Sequence, residues 1–117
     1  MLTESTIIAM KGLDLLGEVE QLVLLVILRL GEGAYAVPIR EELRRHGVAL
    51  SRGSVYVTLD RLERKGYVRS WFDEPTPEPG GKARRCFAIR SDGVAVLRAN
   101  QKLLRRLRAG TLLEPES

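Results

Sequence analysis

Cysteine and histidine are nearly absent: Cys86 and His46 are the only ones in 117 residues. A single cysteine excludes an intrachain disulfide. Cys86 and His46 are too few ligands for a zinc site built from these residue types. Nothing around His46 suggests a catalytic triad, and no cofactor is expected. Aromatic residues are scarce as well, at 5%. Long apolar runs are missing. The longest, Leu22 to Leu28, has seven residues, whereas a membrane-spanning helix needs about 18. The N-terminus shows no charged start followed by an apolar stretch and a small-residue cleavage site. No membrane partner is expected, and the expected location is cytoplasmic.

What is present suits one globular domain. Apolar residues make up 44% and charged residues 29%, close to the usual balance, which excludes disorder over the whole length. The net charge of +4 is unevenly placed. Met1 to Leu50 holds five basic and seven acidic residues, a balance of −2. Ser51 to Arg108 holds fourteen basic and six acidic residues, a balance of +8. Arginine outnumbers lysine fifteen to four. Arginine is favoured where a planar fork grips phosphates or base edges. A solvated basic face, or a compositional bias towards arginine, would give the same count.

Periodicity divides the chain. Residues 1–16 set no clear period and read as an N-terminal arm. From about 17 to 30 the pattern is helical, with Glu18 and Glu20 in the first turn, where they favour the positive dipole end. Val19, Leu22, Val26 and Leu30 form one stripe, and Leu24, Leu25 and Leu28 fill the rest of the circumference. A helix apolar all round is buried on both sides. One side is expected in the core and the other against a second subunit.

Gly31-Glu32-Gly33 ends this helix, and Pro38 suits the first turn of the next, which runs to about His46. Ile39 and Leu43 face inward there, while Arg40, Glu41, Glu42, Arg44 and Arg45 are expected outward. Gly47 is its natural stop. Ser51 is a good N-cap for a third helix to about Lys65, with Val55, Leu59 and Leu62 as the buried stripe and Gly66 as the stop. Tyr67 to Phe72 alternates as a strand. Three prolines and two glycines between Glu74 and Gly81 make that segment a loop. Cys86 to Ile89 returns as a second strand. Ser91 and Asp92 are expected to cap a last helix from about Gly93 to Arg108, striped by Val94, Leu97, Leu104 and Leu107 and interrupted by Asn100 and Gln101.

Three helices, a hairpin and a helix make a winged helix-turn-helix. The expected class is α+β, mainly α, with a two-stranded wing and a C-terminal dimerisation helix. The expected divisions are an arm over 1–16, the DNA-binding domain over 17–90, the dimerisation helix over 91–110 and a frayed tail over 111–117. On the wheel of the third helix, Gly53, Ser54 and Val57 lie away from the buried stripe. Small side chains let a helix sit deep in a major groove. Ser51, Arg52, Ser54, Tyr56, Val57 and Arg61 form the expected reading face. Lys82, Arg84 and Arg85 stand at the base of the returning wing strand, suited to phosphates. The wing tip, with Asp73, Glu74 and Glu78, is acidic, so the returning arm rather than the tip is expected to meet DNA. The surplus apolar positions expected at a dimer interface are Leu22, Leu25, Leu28, Val94, Leu97, Leu104 and Leu107.

The segment Ser51 to Val68 resembles the recognition helix and first wing strand of PadR-like transcriptional regulators. It carries a glycine (Gly53), an aliphatic–tyrosine pair (Val55-Tyr56), Thr58-Leu59, Arg61-Leu62-Glu63 and a closing Gly66. Ala34 to Leu43 resembles the family's second helix, and Gly80 to Phe87 its wing and returning strand. The resemblance spans about residues 17–108. Val57 stands where the family often has proline, Ala36 where it often has glycine, and Cys86 where an aromatic is common. The resemblance implies a homodimeric repressor on a pseudo-palindromic operator in double-stranded DNA. It further implies a dimer built from the first and last helices, as in the smaller subfamily with a single C-terminal helix, and a DNA contact through the Tyr56 hydroxyl. A small-molecule inducer is compatible with this reading, but no residue identifies it.

Two other classes compete. One is a winged-helix module that binds protein and not DNA; the basic stretch and the small reading face weigh against it. The other is an enzyme. Gly31-Glu32-Gly33 and Gly80-Gly81 lack the strand-to-helix context of a nucleotide site. Trp71 is expected as core or interface filler, Cys86 as a small buried hydrophobe, and His46 at the surface.

Overall fold

Helical spacing of apolar side chains produces four helices among the described residues, and a short antiparallel sheet accompanies them. The computed structural model describes residues 12–74 and 83–114. Lys82, Glu78 and most of the N-terminal arm lie outside the described residues. In chain order the elements are α1 (Glu18–Leu30), β1 (Ala34–Tyr35), α2 (Ala36–Arg45), α3 (Arg52–Arg64), β2 (Val68–Phe72), β3 (Arg85–Ile89) and α4 (Ser91–Arg108). One core unites them. It takes Val23, Leu24 and Ile27 from α1, Ile39 and Leu43 from α2, and Val55, Leu59 and Leu62 from α3. Val68, Phe87, Val96 and Leu97 join it, with Leu16, Val26, Ala34 and Ala36.

The ends of α3 are written locally. The Ser51 hydroxyl accepts from the Ser54 N–H at 3.0 Å, which satisfies an otherwise orphaned donor of the first turn. At the other end Gly66 turns with φ +82°. Its N–H bonds the Glu63 carbonyl, and the Tyr67 N–H bonds the Leu62 carbonyl, both at 2.9 Å. This pair of hydrogen bonds around a left-handed residue closes the helix. Gly47 ends α2 in the same way.

Three features depart from the expectations. First, the sheet has three strands, in the order β1-β3-β2. Ala34 pairs with Phe87 and Tyr35 with Cys86. A two-residue strand is too short to register as alternation, so the wing gains a partner strand that only tertiary contact defines. Second, α4 starts at Ser91, and its N-cap is Arg90, with no side-chain cap. The Arg90 N–H instead donates to the Tyr67 carbonyl at 2.8 Å. That carbonyl also lies 2.2 Å from where a Cβ on Gly93 would sit. Close packing on the turn between α3 and β2, and not a local cap, sets the start of α4. Third, Glu42, expected outward, is buried. Arg29 at 3.2 Å and Arg45 at 2.6 Å neutralise it.

Asn100, read as an interruption of the last stripe, is buried for a reason. Its Oδ1 accepts from the Leu16 N–H at 3.1 Å. Its Nδ2 donates to the carbonyls of Asp14 at 3.0 Å and Val96 at 2.8 Å. It fastens the segment before α1 to α4. Beside it, Lys65 Nζ bonds the buried Glu20 carboxylate at 3.0 Å and pairs with Asp14 at 3.5 Å. Burial works against the Lys65 ammonium, but Glu20 and Asp14 outweigh it and hold its pKa above the usual lysine range. Burial, aided by the bond to Asp14, likewise pushes the Tyr67 phenol up.

Candidate nucleic-acid interface

The inward stripe of Val55, Leu59 and Leu62 is fully buried, which fixes the rotation of α3. Thr58 completes the inner side by donating its hydroxyl to the Ser54 carbonyl at 2.8 Å. With those positions inside, Ser51, Arg52, Gly53, Ser54, Tyr56, Val57 and Arg61 are exposed on one continuous surface. Val57 is 54% exposed, a large fraction for an aliphatic side chain on a helix whose core contacts are already complete. The Ser51 hydroxyl donates to Ser54 Oγ at 2.9 Å. Ser51 is therefore spent on the cap, while the Ser54 hydroxyl keeps its own proton for an outside acceptor.

The structure sorts the arginines that charge counting had grouped together. Arg52 and Arg61 make no ion pair among the described residues. Arg52 lines a cleft of about 210 Å³ between α2 and the start of α3, together with Arg40, Arg44 and Glu41. Arg40 is anchored there by its Nε, which donates to the Leu50 carbonyl at 2.7 Å. Arg45 turns away to Glu42. Arg40 and Arg44 are four residues apart and share one face of α2; this spacing was the available signal for adding them to the reading surface.

The wing base differs. Arg84 lies over the Tyr35 ring at 4.9 Å. Arg85, expected to hold phosphate, is directed into the protein. Its Nη1 donates to Asp60 at 2.8 Å and its Nη2 to Glu63 at 2.6 Å. Its Nε reaches Ser70 Oγ at 3.3 Å. The phosphate role expected for Arg85 is thus replaced by a bridge to α3, because two carboxylates one helical turn apart face the wing. The Ser70 hydroxyl, with Arg85 and against the opposing effect of burial, holds the Glu63 carboxyl below the ordinary range. On the outer face of the sheet, Arg69 covers Trp71 at 4.5 Å and bonds Glu32 at 3.1 Å. Cys86 is buried, and burial, with Asp73 as acceptor, pushes its thiol pKa up.

The apolar positions of α1 and α4 also divide. Leu97 is 4% exposed and belongs to the protomer's own core. Leu22 packs against that core, and Val94 is half-buried. Leu25, Leu28, Leu104 and Leu107 remain exposed, Leu107 at 68%. The stripe expected on α4 is therefore two patches: an inner half that completes the core and an outer half that stands open.

Helix, turn, helix and a paired hairpin define a winged helix-turn-helix protein. The family described as transcriptional regulator PadR-like matches residues 23–99, more than half of the chain. The chain belongs to the PadR-like family of transcriptional regulators. Solved structures agree on the fold. A PadR family regulator from Eggerthella lenta is 29% identical with a TM-score of 0.63, covering 80% of this chain and 81% of that one. A PadR-like transcription factor from Bacteroides fragilis is 21% identical with a TM-score of 0.67, covering 77% and 82% respectively. A PadR family regulator from Clostridium difficile is 21% identical with a TM-score of 0.67, covering 79% and 92%. No curated protein matches the chain. No helix among the described residues is long and apolar enough to cross a membrane.

Proposed function

We propose that this regulator is a homodimeric repressor that binds a pseudo-palindromic operator through α3, without enzymatic activity, in the cytoplasm. The observation that carries the reading is the exposed start of α3. Arg52, Ser54 and Val57 stand there around the side-chain-free Gly53, beside Arg40 and Arg44 of α2, with Arg61 further along the helix. Arg52 suits a guanine edge, and Val57 a thymine methyl. Tyr56 and Arg84 serve phosphates, as does Lys82. The open leucines of α1 and α4 support a two-fold interface, which in obligate dimers buries about 2,000 Å² or more. Two α3 helices then enter successive major grooves, with half-sites about 10 bp apart or a small multiple of that.

Gel shift with genomic fragments at two salt concentrations, with sedimentation at micromolar protein, tests this. The expected result is a saltable but sequence-selective complex and a particle of twice 13.1 kDa. A monomer without DNA affinity at low salt would favour the protein-interaction module instead.

A further inference from the structure

The wing base and the recognition helix are cross-braced by one side chain. All three guanidinium nitrogens of Arg85 are engaged: Nη1 with Asp60, Nη2 with Glu63 and Nε with Ser70. Ser70, on the neighbouring strand, donates to the other oxygen of Glu63 at 2.7 Å. The guanidinium also lies over the Phe87 ring at 5.0 Å, and that ring is fully buried. The Arg85 side chain is 29% exposed, less than Asp60 at 51% or Glu63 at 33%. The brace thus joins β3, β2 and the outer side of α3.

We infer that Arg85 is a positioning residue that sets the angle between wing and recognition helix, and not a group that grips DNA itself. This rests on the DNA-binding reading above. A planar fork shared by two carboxylates holds direction as well as distance, which a point charge does not. The same fork offsets one of the two negative charges of Asp60 and Glu63, which flank a surface that must receive phosphates. Operator selectivity requires helix and wing to engage together, so it depends on that angle. Binding to arbitrary DNA depends mainly on the number of cations that meet phosphates.

Arg85→Lys separates the two roles, because lysine replaces a phosphate contact but not the fork. Arg85→Gln, Glu63→Gln and the Arg85→Gln/Glu63→Gln double variant complete the set. Each is measured for operator and random-DNA affinity at several salt concentrations. Residual dipolar couplings of the β2 and β3 amides, in the free protein, report wing orientation relative to α3. For a positioning residue, Arg85→Lys, Arg85→Gln and Glu63→Gln each lower the operator-to-random ratio by about threefold to tenfold, and each reorients or loosens the wing. The double variant has a ratio no lower than that of Arg85→Gln, since fork and carboxylate act as one unit. The inference is overturned if Arg85→Lys keeps the wild-type ratio while Arg85→Gln weakens both DNAs equally and lowers the salt slope by about one. An unchanged wing orientation in Arg85→Gln also overturns it. If the wild type binds no DNA, the functional reading fails, and the couplings still decide whether Arg85 sets the wing.

Discussion

The start of α3 and the base of the wing are both basic, yet their arginines are used in opposite ways. At the start of α3, Arg52 lies in an open cleft with Arg40 and Arg44, and no carboxylate pairs with it among the described residues. At the wing base, Arg85 is held by Asp60 and Glu63. The difference is one of neighbours. The first turn of α3 brings Ser51, Gly53 and Ser54, which cannot neutralise a cation, and Glu41, though it lines the same cleft, forms no ion pair with Arg52 among the described residues. The outer side of α3 further along brings Asp60 and Glu63, which can. Formal charge along a sequence therefore overstates the cations available to DNA, and the surplus at the wing is partly internal.

The largest effect should come from unseating α3. Leu59 is fully buried. Leu59→Ala should cost about 2–5 kcal/mol of stability by leaving a cavity. Urea denaturation reads this, and binding by both regions should fall together. An unchanged midpoint would mean that α3 is not anchored through this stripe.

Next comes Arg52. Arg52→Ala should weaken operator binding by about 1–3 kcal/mol and random-DNA binding much less. Val57→Ala should relax preference at one position with little loss on random DNA. Titration of both DNAs at one salt concentration checks each variant. Equal losses on the two DNAs would make this face a set of phosphate contacts, and sequence would then be read through DNA shape.

Ser51 offers a smaller effect. Ser51→Ala removes the bond to the Ser54 N–H and should cost about 1 kcal/mol of thermal stability. Because the cap orients the first turn, operator affinity should fall more than random-DNA affinity. A variant with wild-type melting would show that the cap is replaceable by water.

The smallest effects are pH-dependent, and they act on opposite sides. Glu63 has a lowered carboxyl pKa in the fold. Its contribution is present above the unfolded value of 4.5 and is lost as pH falls through the lowered folded value. The Lys65 and Tyr67 pKa values are raised. Their contribution is complete below the unfolded values of 10.5 and 10.0 and is lost as pH rises through the folded ones. Melting curves should therefore show a modest acid loss that Glu63→Gln removes. A separate alkaline loss should shrink in Tyr67→Phe. If Glu63→Gln left the acid limb unchanged, the wing brace would contribute nothing to stability.

Much of the fold could be read from local pattern. The stripe Val55, Leu59, Leu62, the serine cap and the closing Gly66 lie within one helix, and each is a short-range physical constraint. The exposed identities of Ser54, Val57 and Arg61 follow from the same wheel. The assignment of Arg85 could not be read this way, since its partners on α3 are 22 and 25 residues distant. Leu97 and Leu107 look alike in the stripe of α4, and only packing into the shared core separates the buried one from the open one. Glu42 likewise looked solvated until Arg29 of α1 was beside it.

The sequence alone determined the helices, both ends of α3, the hairpin and the face of α3 that stands outward. Helical and strand periods, caps and turn glycines act between residues a few positions apart, so they are written in order along the chain. Tertiary structure alone decided the third strand, the start of α4 against the Tyr67 carbonyl and the buried role of Asn100. It also decided which arginines remain open to a polyanion. Those outcomes depend on groups as much as 86 residues apart meeting at hydrogen-bond distance. No local rule encodes such a meeting, because the core must first bring the helices together before a cation has a carboxylate to choose.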